Sequence, residues 1–294
     1  MNKTIPTLTV FTPTYNRAYC LHLGYEALKR QTCKDFMWLI VDDGSTDHTK
    51  ELVEKWQKEA DFTIRYVYKE NGGMHTAHNT AYRNIDTELN TCIDSDDYMP
   101  DDAVEKIVKF WKEHGSDKYA GIVGLDSTED GHIIGTKFPE NLNETTLGKF
   151  YARGGKGDKK LVYRTEAINA YPEYPEFEGE KFVPLDYKYL LADQDYKLLT
   201  LNEPLVIVEY MSDGSTKNIF KQYRNNPKGF AFSRLSRIQY GNTFKERIKN
   251  AIHLVSSTIF IGNYRWLLKT KRLFLVLSVI PLGVMLNLYI RLKA

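Results

Sequence analysis

Short apolar runs alternate with segments of helical spacing through the first 125 residues. Leu8 to Thr12 is apolar and stops at Pro13. Phe36 to Val41 runs into Asp42, Asp43 and Gly44, and Ile64 to Tyr68 follows. Thr91 to Ile93 leads into a carboxylate cluster, and Gly121 to Leu125 closes the series. Runs of this length bounded by turn residues are strands. Between them, Ala18 to Gln31, Thr46 to Glu59, Thr76 to Asn84 and Asp101 to His114 repeat their apolar positions at three and four. Ser45 or Thr46 would cap the second of these helices. Repeated strand–helix units predict an α/β fold, a mostly parallel sheet with helices on both faces. Ligands of such sheets bind beyond the carboxyl ends of the strands. Four polar clusters fall there: TPTYNR, DDGSTD, ENGG and DSDD.

The pattern loosens after Asp126. Residues 126–216 hold one predicted helix, Pro184 to Ala192, and one strand, Leu205 to Tyr210. From Lys217 the character changes. Phe244 to Leu268 predicts an amphipathic helix, and Leu273 to Ile290 has no charge but is interrupted by Pro281 and Asn287. As a helix that stretch is about 27 Å long against a bilayer core of about 30 Å. A span is marginal, and Pro281 fits a re-entrant or in-plane helix equally well; packing as ordinary core is the competing expectation.

Charge sharpens this division. The chain's net charge is +2, yet residues 217–294 carry 15 Lys and Arg against the single acid Glu246, while residues 1–216 carry 25 basic and 37 acidic residues. An acidic body of residues 1–216 and a basic helical tail of residues 217–294 are expected to face different partners. The tail is expected to lie on the anionic cytoplasmic face of the cell membrane. The first seventeen residues lack the apolar core of a signal peptide. Cys20, Cys33 and Cys92 match no zinc or redox spacing and are expected to be reduced.

Candidate chemistry centres on Asp94-Ser95-Asp96-Asp97. Carboxylates this close repel unless a cation or hydrogen bonds offset them. Hard oxygen ligands suit Mg²⁺ or Mn²⁺, which would also hold a diphosphate. An EF-hand is disfavoured by Tyr98 and Met99, which stand where an oxygen ligand and a glycine belong. Asp42 and Asp43 end a strand at a tight turn and can accept hydrogen bonds from a base or ribose. The Gly154 to Lys159 segment is either a lid or an exposed loop. No GxGxxG or GxxxxGK[ST] is present, which disfavours a dehydrogenase or phosphate-loop kinase. A nucleotidyltransferase would need a glycine-rich basic loop where TPTYNR stands. Nothing points to nucleic acid.

TPTYNR, VDDGSTD, NGG and DSDD, in this order and spacing, resemble the family 2 glycosyltransferases of the GT-A fold, with its Rossmann-like sheet. The likeness is specific over the first 125 residues and looser to about Tyr210. It implies that Thr12, Pro13, Tyr15 and Arg17 border the nucleotide. By the same likeness, Asp42 or Asp43 reads the base, and Asn71, Gly72 and Gly73 form the turn beneath it. Asp94, Ser95 and Asp96 would be the DxD motif, with Asp94 and Asp96 on the metal. Where the family often has Arg-Asn, this chain has His78-Asn79; Lys69 or His75 could compensate. The family's Glu-Asp pair is matched by Leu185-Asp186, so Asp186 is the candidate base, with Glu178, Glu180 and Asp195 as rivals. Asp97 joins it as a candidate catalytic acid. The implied activity is inverting, metal-dependent sugar transfer from a nucleotide sugar, UDP-linked by default. The acceptor would be a saccharide or a lipid-linked molecule, in cell-surface polysaccharide or glycolipid synthesis. A non-catalytic sugar-nucleotide binding subunit is the alternative.

Overall fold

The computed structural model describes residues 5–209 and 219–293. Eight strands form one sheet: β1 Leu8–Thr14, β2 Phe36–Asp42, β3 Thr63–Tyr68, β4 Leu89–Cys92, β5 Tyr119–Ser127, β6 Glu144–Thr145, β7 Lys159–Arg164 and β8 Lys197–Ile207. Their order is β3-β2-β1-β4-β7-β5-β8-β6. Neighbours pair in parallel except β7, antiparallel to both β4 and β5, and β6, antiparallel to β8. The expected mostly parallel sheet is therefore present. The antiparallel β7 was not foreseen, because its sequence KKLVYR follows a glycine-rich segment and opens with two charges.

The helices are α1 His22–Arg30, α2 Thr49–Glu59, α3 Met74–Asn84, α4 Ala103–His114, α5 Leu147–Ala152, α6 Thr165–Asn169, α7 Asp186–Asp195, α8 Ile219–Asn225, α9 Pro227–Tyr240, α10 Phe244–Ile261, α11 Leu273–Ser278 and α12 Ile280–Lys293. β1 and β2 are buried along their whole length, the mark of strands covered on both faces. Val10, Trp38, Ile40, Val104 and Ile107 form their core, and Tyr25 stacks on Trp56 at 4.4 Å.

Two compact units divide the chain: Met1–Pro172 with Asp195–Met211, and Glu173–Gln194 with Ser212–Ala294. Residues 173–194 thus group with the C-terminal helices. The expected border at residue 217, and Tyr210 at the end of the last expected strand, lie outside the described residues. The second unit has its own core around Ala231, Ile238, Leu254, Val255 and Val276.

Two expectations for local structure need correction. Neither Ser45 nor Thr46 caps α2, which starts three residues later. Asp47 does this work from inside the loop, its Oδ1 accepting from the Thr49 backbone and hydroxyl at 3.1 and 2.6 Å. The uncharged stretch 273–290 is not one helix but two, broken at Val279. Pro281 explains the break: it has no N–H to donate to the Leu277 carbonyl and its ring clashes there, so α11 cannot run on through it, yet it fits the first turn of a new helix. No helix among the described residues is long and apolar enough to cross a membrane.

Candidate donor site at the strand ends

The loops after β1, β2 and β3 are stitched to one another. Asn16 adopts a left-handed φ of 52°, donates its backbone N–H to Ser45 Oγ at 2.8 Å and accepts from Thr46 N at 2.7 Å. Ala18 N donates to Asp47 at 3.1 Å. Gly44, at φ 85°, has no room for a Cβ, which would stand 2.7 Å from Asn71 N. TPTYNR, DDGSTD and ENGG are therefore one rigid rim, with Tyr15 exposed upon it.

The candidate base-reading acids have different duties. Asp42 is buried, accepting from Tyr66 Oη at 2.6 Å and Ser45 N at 2.7 Å. This bond to a carboxylate, with burial first, raises the Tyr66 phenol above its usual range. Asp43 accepts from Gly72 N at 3.0 Å, Gly73 N at 2.7 Å, Asn71 Nδ2 at 3.2 Å and Lys69 Nζ at 2.5 Å. Those bonds occupy the four lone-pair positions of a carboxylate. Asp42, with two accepted, keeps capacity for a ligand. Thr12 and Pro13 are buried within β1, and the Thr12 hydroxyl accepts from Trp38 Nε1 at 3.0 Å.

His78 and Asn79 are buried on α3. The His78 ring meets Phe11 edge-on at 5.1 Å and lies 3.6 Å from Cys92 Sγ. His75 is buried too, and loss of hydration pushes it down to about 4, against the pull of Asp43. It is neutral at physiological pH and supplies no cation; Lys69 is spent on Asp43.

The carboxylate cluster follows β4. Asp97 N donates to Asp94 O at 3.0 Å, closing a tight turn. Arg17 approaches Asp96 at 3.8 Å, linking the first loop to the fourth, and donates to Tyr19 Oη at 2.5 Å. Asp97 accepts from Glu209 N at 3.1 Å. Loss of hydration and the neighbouring Asp94 push the Asp97 carboxyl up to about 7. Loss of hydration, then Asp96, also raises Asp94.

Two residues that the sequence did not single out belong to this crowd. Lys160 on β7 donates to the Cys92 carbonyl at 2.7 Å and offsets the charge of Asp94, Asp97 and Asp126. Asp126, 5% exposed at the end of β5, has an Oδ1 with no hydrogen-bond partner among the described residues. The signal was latent: β7 alternates faces, so Lys159 and Lys160 point oppositely. Lys159 turns into the loop and donates to the carbonyls of Ile134, Lys156, Gly157 and Asp158. Those bonds tie the end of the Gly154 to Lys159 segment to the loop at Ile134, while residues 154–158 stay exposed or half-exposed.

A divalent cation fits this donor set. Among the described residues no three His, Cys, Asp or Glu side chains form a ready metal cage. Mg²⁺ bound beside a phosphate takes only one or two carboxylates, with phosphate and water filling the rest. Carboxyls raised by burial and by neighbouring acids are those that a cation would relieve. A groove of about 760 Å³ lies at the other end of the strands, before β4 and after β7, around Glu88, Trp111 and Arg164, and holds none of these residues.

In the second unit, Asp186 opens α7 and faces α9. Ser233 Oγ donates to its two oxygens at 3.0 and 3.1 Å, and Arg237 Nε donates to Oδ2. Of its rivals, Glu180 accepts from Lys228 N and Gly229 N at the start of α9, a capping role. In the first unit, Asp195 accepts from Tyr171 Oη at 2.7 Å.

Comparisons agree with this arrangement. The family described as "Glycosyl transferase family 2" matches residues 9–171. The chain is 32% identical to "Glycosyltransferase GlyA" of Streptococcus pneumoniae over 139 residues, 46% of this chain and 20% of that protein. It is 28% identical to the Staphylococcus aureus "Poly(ribitol-phosphate) beta-N-acetylglucosaminyltransferase TarS" over 141 residues, 47% of this chain and 24% of the other. These alignments thus span only about a quarter or less of either relative. Among solved structures, S. aureus TarS 1–349 in complex with UDP-GlcNAc has a TM-score of 0.61 at 18% identity, covering 95% of this chain and 81% of that one. The mannosyltransferase PcManGT of Pyrobaculum calidifontis, in complex with GDP-Man and Mn²⁺, has 0.57 at 17% identity, covering 98% and 88%. At such identity the likeness is one of fold.

Proposed function

The chain belongs to glycosyltransferase family 2, and from that premise we propose that it moves a sugar from a nucleoside-diphosphate sugar, UDP-linked by default, to an acceptor hydroxyl with inversion. The acceptor is a saccharide or a lipid-linked molecule, and the setting is cell-surface polysaccharide or glycolipid synthesis. One observation carries the reading: Asp94, Asp96 and Asp97, with Lys160 and Arg17, crowd the same sheet edge as the TPTYNR, DDGSTD and ENGG rim.

Each part has a task. Asp42 accepts from the base N–H, and Tyr15, on the rim, flanks the nucleotide. Lys160 and Arg17 offset phosphate charge, in place of the Arg replaced by His78. Asp94 and Asp96 hold a divalent cation, Mn²⁺ or Mg²⁺, which when bound offsets the charge of the departing diphosphate. Asp186 takes the acceptor proton as the acceptor oxygen bonds to the anomeric carbon; the bond from that carbon to the diphosphate breaks, and its electron pair leaves with the nucleotide.

A panel of UDP- and GDP-sugars with Mn²⁺, read by nucleotide release, tests the proposal. Release from one donor, abolished by a chelator, is expected. A second reading, a sugar-nucleotide binding subunit without catalysis, is favoured by the ion pair that holds Asp186 to Arg237. Tight UDP binding without release from any donor, acceptor present, would select it.

A further inference from the structure

The last helix has its faces reversed relative to a water-soluble one. α12 buries Gly283, Asn287 and Ile290. A Cβ on Gly283 would lie 2.4 Å from that of Val255 on α10, and Asn287 Nδ2 donates to the Ser256 carbonyl at 3.1 Å. The outward side is Leu282, Met285, Leu288, Tyr289 and Leu292, with Met285 65% and Leu292 85% exposed. At 3.6 residues per turn these positions share an arc of about 120°. α11 adds Phe274, 92% exposed. A helix on a water-facing surface turns its leucines inward and its asparagine outward; this one does the opposite. Apolar surface this continuous marks an interaction site.

Charge identifies the occupant. Exposed Lys271 and Arg272 precede the apolar face, and exposed Arg291 and Lys293 follow it. A second copy docked by two-fold symmetry would bring these like charges together. An anionic lipid surface complements both ends, and its acyl region accepts the leucines. Among the described residues no helix is long and apolar enough to cross a membrane, and an apolar side opposite a protein-packed one suits a helix lying in the membrane plane.

We infer that α11 and α12 form an in-plane docking surface for an anionic bilayer, apolar side down, about 5–10 Å into the headgroup boundary. This extends the proposed function to its place of action, the cytoplasmic face of the cell membrane, and rests on that reading only for the side of the bilayer.

Co-sedimentation of the full chain with vesicles, nucleotide sugar absent, tests it. Phosphatidylcholine alone is compared with phosphatidylcholine containing phosphatidylglycerol. Binding to the anionic vesicles is expected. The triple variant Met285→Glu, Leu288→Glu, Leu292→Glu should bind at least about 100-fold more weakly with an unchanged melting temperature. Lys271→Gln with Arg272→Gln, which leaves the apolar face intact, should lose about fivefold per charge at low salt. Equal binding by the triple variant would overturn the inference. So would a wild type that ignores vesicles but forms a dimer the triple variant cannot, which would assign the face to a second copy. Nucleotide release measured without lipid keeps a failure here separate from a failure of the transferase reading.

Discussion

Asp186 carries a carboxylate that two α9 side chains hold. A guanidinium stabilises the charged form and weakens a base, so the role proposed for Asp186 requires the acceptor to compete with Arg237. Asp186→Asn keeps the shape and the Ser233 bond. It should cut transfer by at least about 100-fold, the lower end for general base catalysis, with UDP binding intact. Near-normal transfer would leave the carboxylate as a tie between α7 and α9. Lys160 is the other residue to test. Lys160→Met removes a cation that offsets the charge of Asp94, Asp97 and Asp126; the donor KM should rise about tenfold or more, since charge-assisted bonds are worth about 1.5–3 kcal/mol. An unchanged KM would place Lys160 outside the donor site. At this scale the sequence was a partial guide. Motif position located the acids, but not which of their oxygens neighbouring donors already occupy. Asp43 looks like a ligand-reading acid and spends its lone pairs on the ENGG turn. Lys160 and Asp126 were missed because only the sheet order, with β7 inserted between β4 and β5, brings them near the end of β4, and no local pattern reveals that order.

At the scale of elements, the strands were legible because continuous apolar runs over β1 and β2 have few other folded outcomes. Helix ends were less so. α10 stops at Ile261, where Gly262 takes a left-handed φ of 70°, a glycine stop that the apolar periodicity masked. Helices α3 and α10 also carry a pH signature. His75 and His253 are both pushed down to about 4, burial being the first cause and, for His253, Arg234 and Lys249 adding to it. The unfolded chain takes up these protons near the ordinary value of about 6.5. Between about 6.5 and 4 the unfolded state therefore binds more protons, so stability is fully present above 6.5 and falls as pH falls. Each histidine should contribute on the order of 2 kcal/mol to that loss. Denaturant melts at pH 7 and pH 4.5 should show a smaller loss for His75→Gln and His253→Gln than for wild type. Parallel losses would mean that neither histidine is neutral in the fold.

For the whole molecule, the charge split visible in the sequence marks two kinds of surface. The acidic residues before residue 217 include the cluster that suits a cation and a diphosphate. The basic residues after it flank an apolar helix face. What the sequence left open was whether its uncharged stretch spans or lies flat, and Pro281 settles the local geometry by breaking the helix. The central claim remains that the edge formed by TPTYNR, DDGSTD, ENGG and DSDD binds a nucleoside diphosphate through a divalent cation held by Asp94 and Asp96. Calorimetric titration of UDP into the full chain tests it most directly, with Mn²⁺ and with a chelator, for wild type and Asp96→Asn. The account predicts Mn²⁺-dependent binding by wild type, weakened at least about tenfold in Asp96→Asn while the melting temperature holds. UDP binding of equal strength in the chelator, or an Asp96→Asn variant that binds as wild type does, would contradict it.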